Sequence, residues 1–212
     1  MALLKKVVLA VVAFGVVAWL FVSTLEDTIA EPYSLAGAGL SGWALELAPP
    51  GGRGLTLLGL RPPPLLRATL FDQLFNRTME SMNGPADDLV PVVLRSEYRD
   101  GLASAVSPDE ILAAAREAGL DRIQLEPVCM AVKREPFAGR TRQFYFVLFD
   151  AAPIQAFRAD LARRADGQGA ALEADGFEVV LPVAASDTAF ESWWPLRVDR
   201  DADCQAPVSS GA

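Results

Sequence analysis

The 212-residue chain contains no histidine. That removes Ser-His-Asp and Cys-His nucleophiles, histidine general bases and every histidine-ligated zinc, copper or haem site. Lysine is nearly missing: Lys5, Lys6 and Lys133 are all there is. A Ser-Lys dyad would have to use Lys133. Cysteine is limited to Cys129 and Cys204, and neither lies near the amino terminus to carry a lipid. Basic charge is in deficit, with a net charge of −8. This argues against nonspecific nucleic-acid binding, which needs phosphate neutralisation. No cofactor, no metal and no nucleic-acid partner is expected.

What is present begins with residues 7–25, an uncharged apolar run between Lys5-Lys6 and Glu26-Asp27. As a helix it would span about 28 Å, close to the hydrocarbon thickness of a bilayer. A cleaved signal is the rival reading, but its apolar region is usually shorter. The passable cleavage site, Thr28-Ile29-Ala30, lies beyond the acidic pair. Trp19 and Phe21 near one end suit the headgroup region. The run therefore predicts a single-pass signal-anchor with the bilayer as partner. Lys5 and Lys6 would keep the amino terminus cytoplasmic, at an inner membrane, with the main domain periplasmic or extracellular. Richness in Ala, Arg, Gly, Pro and Leu suggests a bacterial source. In an oxidising space Cys129 and Cys204 would bridge and pin the tail to a sheet; two free thiols are the alternative.

Residues 1–30 are thus read as anchor and flanks, and 31–42 as a linker. A hairpin-and-helix extension occupies 43–88, with strands at 43–48 and 55–60, a stop at Pro62-Pro63-Pro64 and a helix over 65–82. In 89–200 the order is strand (89–95), helix, strand (122–134), strand (142–150), helix (153–165), strand (177–184). Ser107-Pro108-Asp109-Glu110 reads as a capping box with proline at the first helical position, and Gly119 as the residue that ends that helix. This is the α+β, ferredoxin-like βαββαβ plan, an antiparallel sheet with both helices on one face. A short helix at 187–194 and a strand at 196–200 follow, and 201–212 reads as a polar tail.

Residues 139–149, GRTRQFYFVLF, fall on the third core strand. Arg142, Phe144, Phe146, Val147 and Phe149 match the first ribonucleoprotein motif, and Gln143 and Tyr145 depart from it. The segment resembles that of RNA-recognition-motif domains. The resemblance implies the ferredoxin-like fold. Alternation would place Phe144, Phe146 and Leu148 on one face of the strand, and Tyr145, Val147 and Phe149 on the other.

Several constellations invite chemistry and fall short of it. Gly37-Ala38-Gly39-Leu40-Ser41-Gly42 spells a dinucleotide fingerprint but lacks a strand before it and a helix after it. Asp199-Arg200-Asp201-Ala202-Asp203 starts like a calcium loop, yet Cys204 and Ser210 stand where glycine and glutamate are needed. Asp187-Thr188-Ala189 resembles half of an aspartic-protease dyad and reads more simply as a helix cap. Two features point to partners. Lys133, Arg134, Arg140 and Arg142 form a basic hairpin in an acidic chain. Trp193 and Trp194 are adjacent, so that one could pack inward and the other face a partner.

The expectation is a non-catalytic accessory or scaffolding subunit of a larger membrane complex, bound to other membrane subunits. The alternatives are a small-ligand or peptide-binding sensor, or an anchored envelope enzyme working through carboxylates such as Asp87, Asp88, Glu97 and Asp100. A carboxyl with a raised pKa in a cleft would favour the enzyme.

Overall fold

The computed structural model describes residues 12, 14–17, 19, 31–35, 40–49, 51, 52, 54–167, 172–174 and 176–209. Their strands form two sheets. The smaller holds β2 (Ala44–Leu47), β3 (Thr56–Arg61) and β4 (Val90–Leu94), all antiparallel. The larger runs β1-β8-β5-β6-β7. Its members are β1 (Tyr33–Ser34), β5 (Glu126–Phe137), β6 (Arg140–Asp150), β7 (Val180–Ala185) and β8 (Cys204–Ser209). The β1–β8 pair is parallel and the other pairs are antiparallel.

The long β5–β6 hairpin organises the larger sheet. Ala138 and Gly139 join its strands with φ of 49° and 78°, the two left-handed residues that a tight hairpin turn demands. Alternation then serves two cores, on the faces expected from the sequence. Phe144, Phe146 and Leu148 enter a small core with Phe190, Trp193 and Leu196. Tyr145, Val147 and Phe149 enter the main core with leucines and valines of β3 and β4.

Three helices close the main core. In α1 (Leu66–Thr78), Leu66, Leu70 and Leu74 are buried at four-residue spacing. The helix stops at Met79, which turns left-handed, three residues before the expected end. In α2 (Pro108–Glu117) the capping box is present. The Ser107 hydroxyl accepts from the Glu110 amide at 3.3 Å, and the Glu110 carboxylate accepts from the Ser107 amide at 2.8 Å. Gly119 follows with φ of 77°. In α3 (Ala152–Asp166), Ile154, Phe157, Arg158 and Leu161 face inward.

Three expectations are corrected. The ferredoxin-like plan does not form, because that plan puts the first core strand beside the third. The third strand, β6, already has β5 on one edge and β7 on the other. The first strand, β4, pairs instead with β3 of the preceding hairpin, from Thr56↔Leu94 to Leu60↔Val90. The extension is thus part of the fold's second sheet.

The amino-terminal transmembrane helix is not supported. Among the described residues no helix is long and apolar enough to cross a membrane. A crossing takes about 20 consecutive apolar helical residues. Within 7–25 only residues 12, 14–17 and 19 are described, and they are helical and exposed, Trp19 included. Lys5, Lys6, Phe21 and the Thr28-Ile29-Ala30 site lie outside the described residues. The inner-membrane localisation, the bilayer as partner and the membrane-interface roles of Lys5, Lys6, Trp19 and Phe21 lose their footing with the anchor.

The chain's ends also differ from expectation. Tyr33 and Leu35, placed in the linker, are buried, and Tyr33 pairs with Val208. Residues 36–39, with the first glycines of the dinucleotide-like run, lie outside the described residues. The strand expected at 196–200 is irregular until the short helix Arg200–Asp203, and the polar tail is the strand β8.

Candidate functional site

Segments that flank strands of both sheets line a cleft. Gly54 and Leu55 lead into β3, Pro85 to Asp87 precede β4, and Thr188 to Ser192 follow β7. Together with Pro182 of β7 they line a recess of about 360 Å³. A second recess of about 550 Å³ shares Gly54, Leu55 and Glu191 with the first and adds Arg95, Ser96, Arg99 and Trp194. The shared walls make the two neighbours along one cleft. Its first half is acidic and its second half basic.

The Asp87 carboxyl in the cleft has a raised pKa. Partial burial raises it; the amides of Thr56 and Leu89, the Thr56 hydroxyl and Arg95 oppose that to a smaller extent. Gly54 has φ of 108°, and a Cβ there would stand 3.0 Å from the Asp87 Oδ2. A side chain at Gly54 would therefore crowd the carboxylate that the recess exposes. In the second recess Arg95 donates to the Pro49 carbonyl, and Arg99 pairs with Asp100 at 2.7 Å.

The residues singled out in the sequence are dispersed. Cys129 and Cys204 are bridged, with Cα atoms 5.7 Å apart. The bridge joins β5 to β8 and packs in the small core that also holds Phe190 and Trp193. Trp193 is buried and stacks on Phe144 at 5.4 Å, with the Arg142 guanidinium 4.1 Å from its ring centroid. Trp194 is half-buried, edge-on to Phe144 at 5.5 Å, and opens onto the cleft. Trp193 is the more deeply packed of the two, and Trp194, packed against the same small core, also lines the cleft.

The basic hairpin is less basic than its sequence. The Lys133 ammonium donates to Asp203 at 2.9 Å. Arg142 donates to Glu135 and to the Ser192 hydroxyl, each at 2.7 Å. Arg134 lies beside the Tyr145 hydroxyl. Arg140 is exposed at the turn and has no ion pair among the described residues. Of the other carboxylates, Asp88 pairs with Arg67 and Glu97 with buried Arg158. The calcium-like run is a helix cap. Asp199 accepts from the amides of Asp201 and Ala202, and Asp203 accepts from the Asp199 amide. Asp187 likewise accepts from the Ala189 amide at 3.0 Å. Among the described residues no group of three His, Cys, Asp or Glu is placed to hold a metal ion. Phe144, Phe146 and Phe149, which carry the ribonucleoprotein resemblance, are buried in the two cores.

Glu191, Gly54 and Leu55 were not legible as site residues. Their only signal was a Gly-rich turn and a carboxylate beside two tryptophans. Comparison with protein-family models, with curated proteins and with solved structures returns no match.

Proposed function

We propose that the chain is a non-catalytic interaction domain, an accessory or scaffolding subunit of a larger assembly, and that it holds its partner through the cleft lined by segments of both sheets. The observation that carries this reading is the cleft's make-up. Apolar walls, a half-buried Trp194, carboxylates in one half and arginines in the other suit an extended segment with charges of both signs. Half-exposed tryptophan beside arginine is the composition of interface hot spots. A photo-crosslinking residue at Thr188, in the cleft, should give one discrete adduct in cells, lost when Leu55→Glu is added. The same residue at Glu117 on α2 should not give it. Equal adducts from both positions, or none from Thr188, would overturn the reading.

One observation favours the enzyme alternative. Asp87 has a raised carboxyl pKa and shares its recess with Glu191, the pairing that carboxylate acid–base chemistry uses. That reading predicts hydrolysis of a glycan by the wild type, abolished by both Asp87→Asn and Glu191→Gln. A partner captured at Thr188 whose bonds are left intact would speak for binding instead.

A further inference from the structure

We propose that the cleft's partner is a second copy of this chain, held by a two-fold exchange in which the β5–β6 hairpin tip of each copy seats on the 188–192 side of the other's cleft. Arg140 meets the rim carboxylate Glu191 there, and the Phe137 ring lies on the apolar wall of Leu55, Pro85 and Phe190. This rests on the interaction reading above and names the partner.

The hairpin outreaches its own sheet. β8 leaves β5 at Ala131↔Cys204, and β7 leaves β6 at Phe144↔Ala185. β5 and β6 go on pairing to Phe137↔Arg140. From Phe144 to Arg140 this makes an arm of about 13 Å. A two-stranded ribbon holds its shape poorly by itself, so the arm gains from being seated. Its tip is open to contact. Phe137 is 62% exposed. Lys133 pairs with Asp203 and Arg142 with Glu135, whereas Arg140 has no ion pair among the described residues.

The register fixes which way the tip faces. Phe137 stands opposite Arg140, Glu135 opposite Arg142 and Lys133 opposite Phe144, so all six share the small-core face of the ribbon. Segment 188–192 packs on that same face through Phe190, and Arg142 donates to its Ser192 hydroxyl at 2.7 Å. Tip and cleft wall thus lie on one side of each copy, as an isologous contact requires. The charges are complementary too: the tip carries free Arg140, and the exposed charge on the 188–192 wall is Glu191. Two copies with a net charge of −8 repel at long range, so a contact between them needs unlike charges at its centre. The arm also supplies the extended segment with charges of both signs that the cleft suits. Edge-to-edge sheet extension fits less well, because Pro136 brings no amide donor and arginines line the arm.

The test is sedimentation of the full-length protein over a range of concentrations. The wild type should form a dimer that weakens as salt rises. Arg140→Glu, Glu191→Arg and Phe137→Ser, all at exposed positions, should each weaken it at least tenfold. Mixing Arg140→Glu with Glu191→Arg should restore the dimer, because the reversed charges then meet at one contact and the native pair is kept at the other. The Thr188 adduct in cells should have the mass of two chains. A monomeric wild type would overturn the proposal. So would a dimer that both charge variants leave unchanged, or a mixture no tighter than either variant alone. A monomeric chain whose Thr188 still crosslinks to a different protein would sink the self-pairing and leave the interaction domain standing.

Discussion

The guanidinium of Arg158 is fully buried and grips Glu97 with two hydrogen bonds, Nη2 to Oε1 at 2.6 Å and Nη1 to Oε2 at 3.1 Å. The same two nitrogens also donate to the carbonyls of Val92 at 2.8 Å and Glu173 at 2.7 Å. The ring of Phe177 lies 3.6 Å from the guanidinium carbon. One side chain of α3 thus ties β4, the turn after it and the loop before β7 together. Those segments position the cleft.

Arg158→Met is expected to cost about 3 kcal/mol or more, because it strands the Glu97 carboxylate and the buried Val92 carbonyl. Adding Glu97→Gln should return part of that loss, since the isolated charge is then gone. Urea midpoints of the two single variants and the double variant measure the coupling. Additive losses would mean that the pair is not a unit.

The bridge between Cys129 and Cys204 closes a separation of 75 residues. Chain entropy for a loop of that length gives about 4 kcal/mol. Replacing both cysteines with alanine should lower stability by an amount of that order, and the loss should be local first. β8 holds β5 over Cys129↔Pro207 to Ala131↔Cys204 and carries β1 on its other edge. Hydrogen exchange should therefore rise in β8 and β1 before it rises in the β5–β6 hairpin. A uniform rise would show that the bridge stabilises the whole fold at once.

These elements differ in how far the sequence reveals them, and the difference is one of range. The Ser107 capping box, the Gly119 stop and the two faces of β6 depend on residues a few positions apart, and each reads correctly from spacing. The disulfide was legible because two cysteines allow one intramolecular pair. Sheet membership was not, because the strand order strand-helix-strand-strand-helix-strand fits more than one pairing. What decides it is that β3 offers β4 an edge from outside the expected core. From sequence β8 reads as tail because Pro207 and the polar residues hide the alternation of Ala206 and Val208. The cleft draws on residues 54–55, 85–87, 182 and 188–192, which no local pattern connects.

Asp87 makes a pH-dependent prediction whose sign follows from its raised pKa. Between the ordinary value of 3.8 and the higher folded value, the folded state binds more protons than the unfolded state. Asp87 therefore contributes stability that is fully present below pH 3.8 and is lost as pH rises through the folded value. Asp87→Asn removes the ionisation and should be more stable than the wild type at pH 7, with the advantage fading as the pH falls towards 3.8. Urea unfolding of both proteins at neutral and acidic pH reads the difference directly. A variant less stable at pH 7 would mean that hydrogen bonds to the charged form outweigh its desolvation.

Gly59 sits in β3 beside the bulged pairing with β4, opposite Pro91. A Cβ at this position would come within 2.7 Å of the Thr56 Cγ2, 2.8 Å of the Val90 carbonyl oxygen and 2.9 Å of the Leu89 Cβ. The Thr56 methyl could turn away, but the Val90 carbonyl belongs to the neighbouring strand and can yield only if β4 moves. Gly59→Ala should therefore destabilise by about 1–3 kcal/mol, the usual cost of overpacking. It should also disturb the cleft, since Leu55 and Asp87 lie just beyond the ends of these two strands. Gly84→Ala is the matched control, because a Cβ there meets nothing within 4 Å. The two variants should separate clearly in thermal unfolding, and only Gly59→Ala should shift the amides around Leu55 and Asp87. If both unfold alike, the β3–β4 contact is looser than these distances require, and the strand spacing does not fix the cleft.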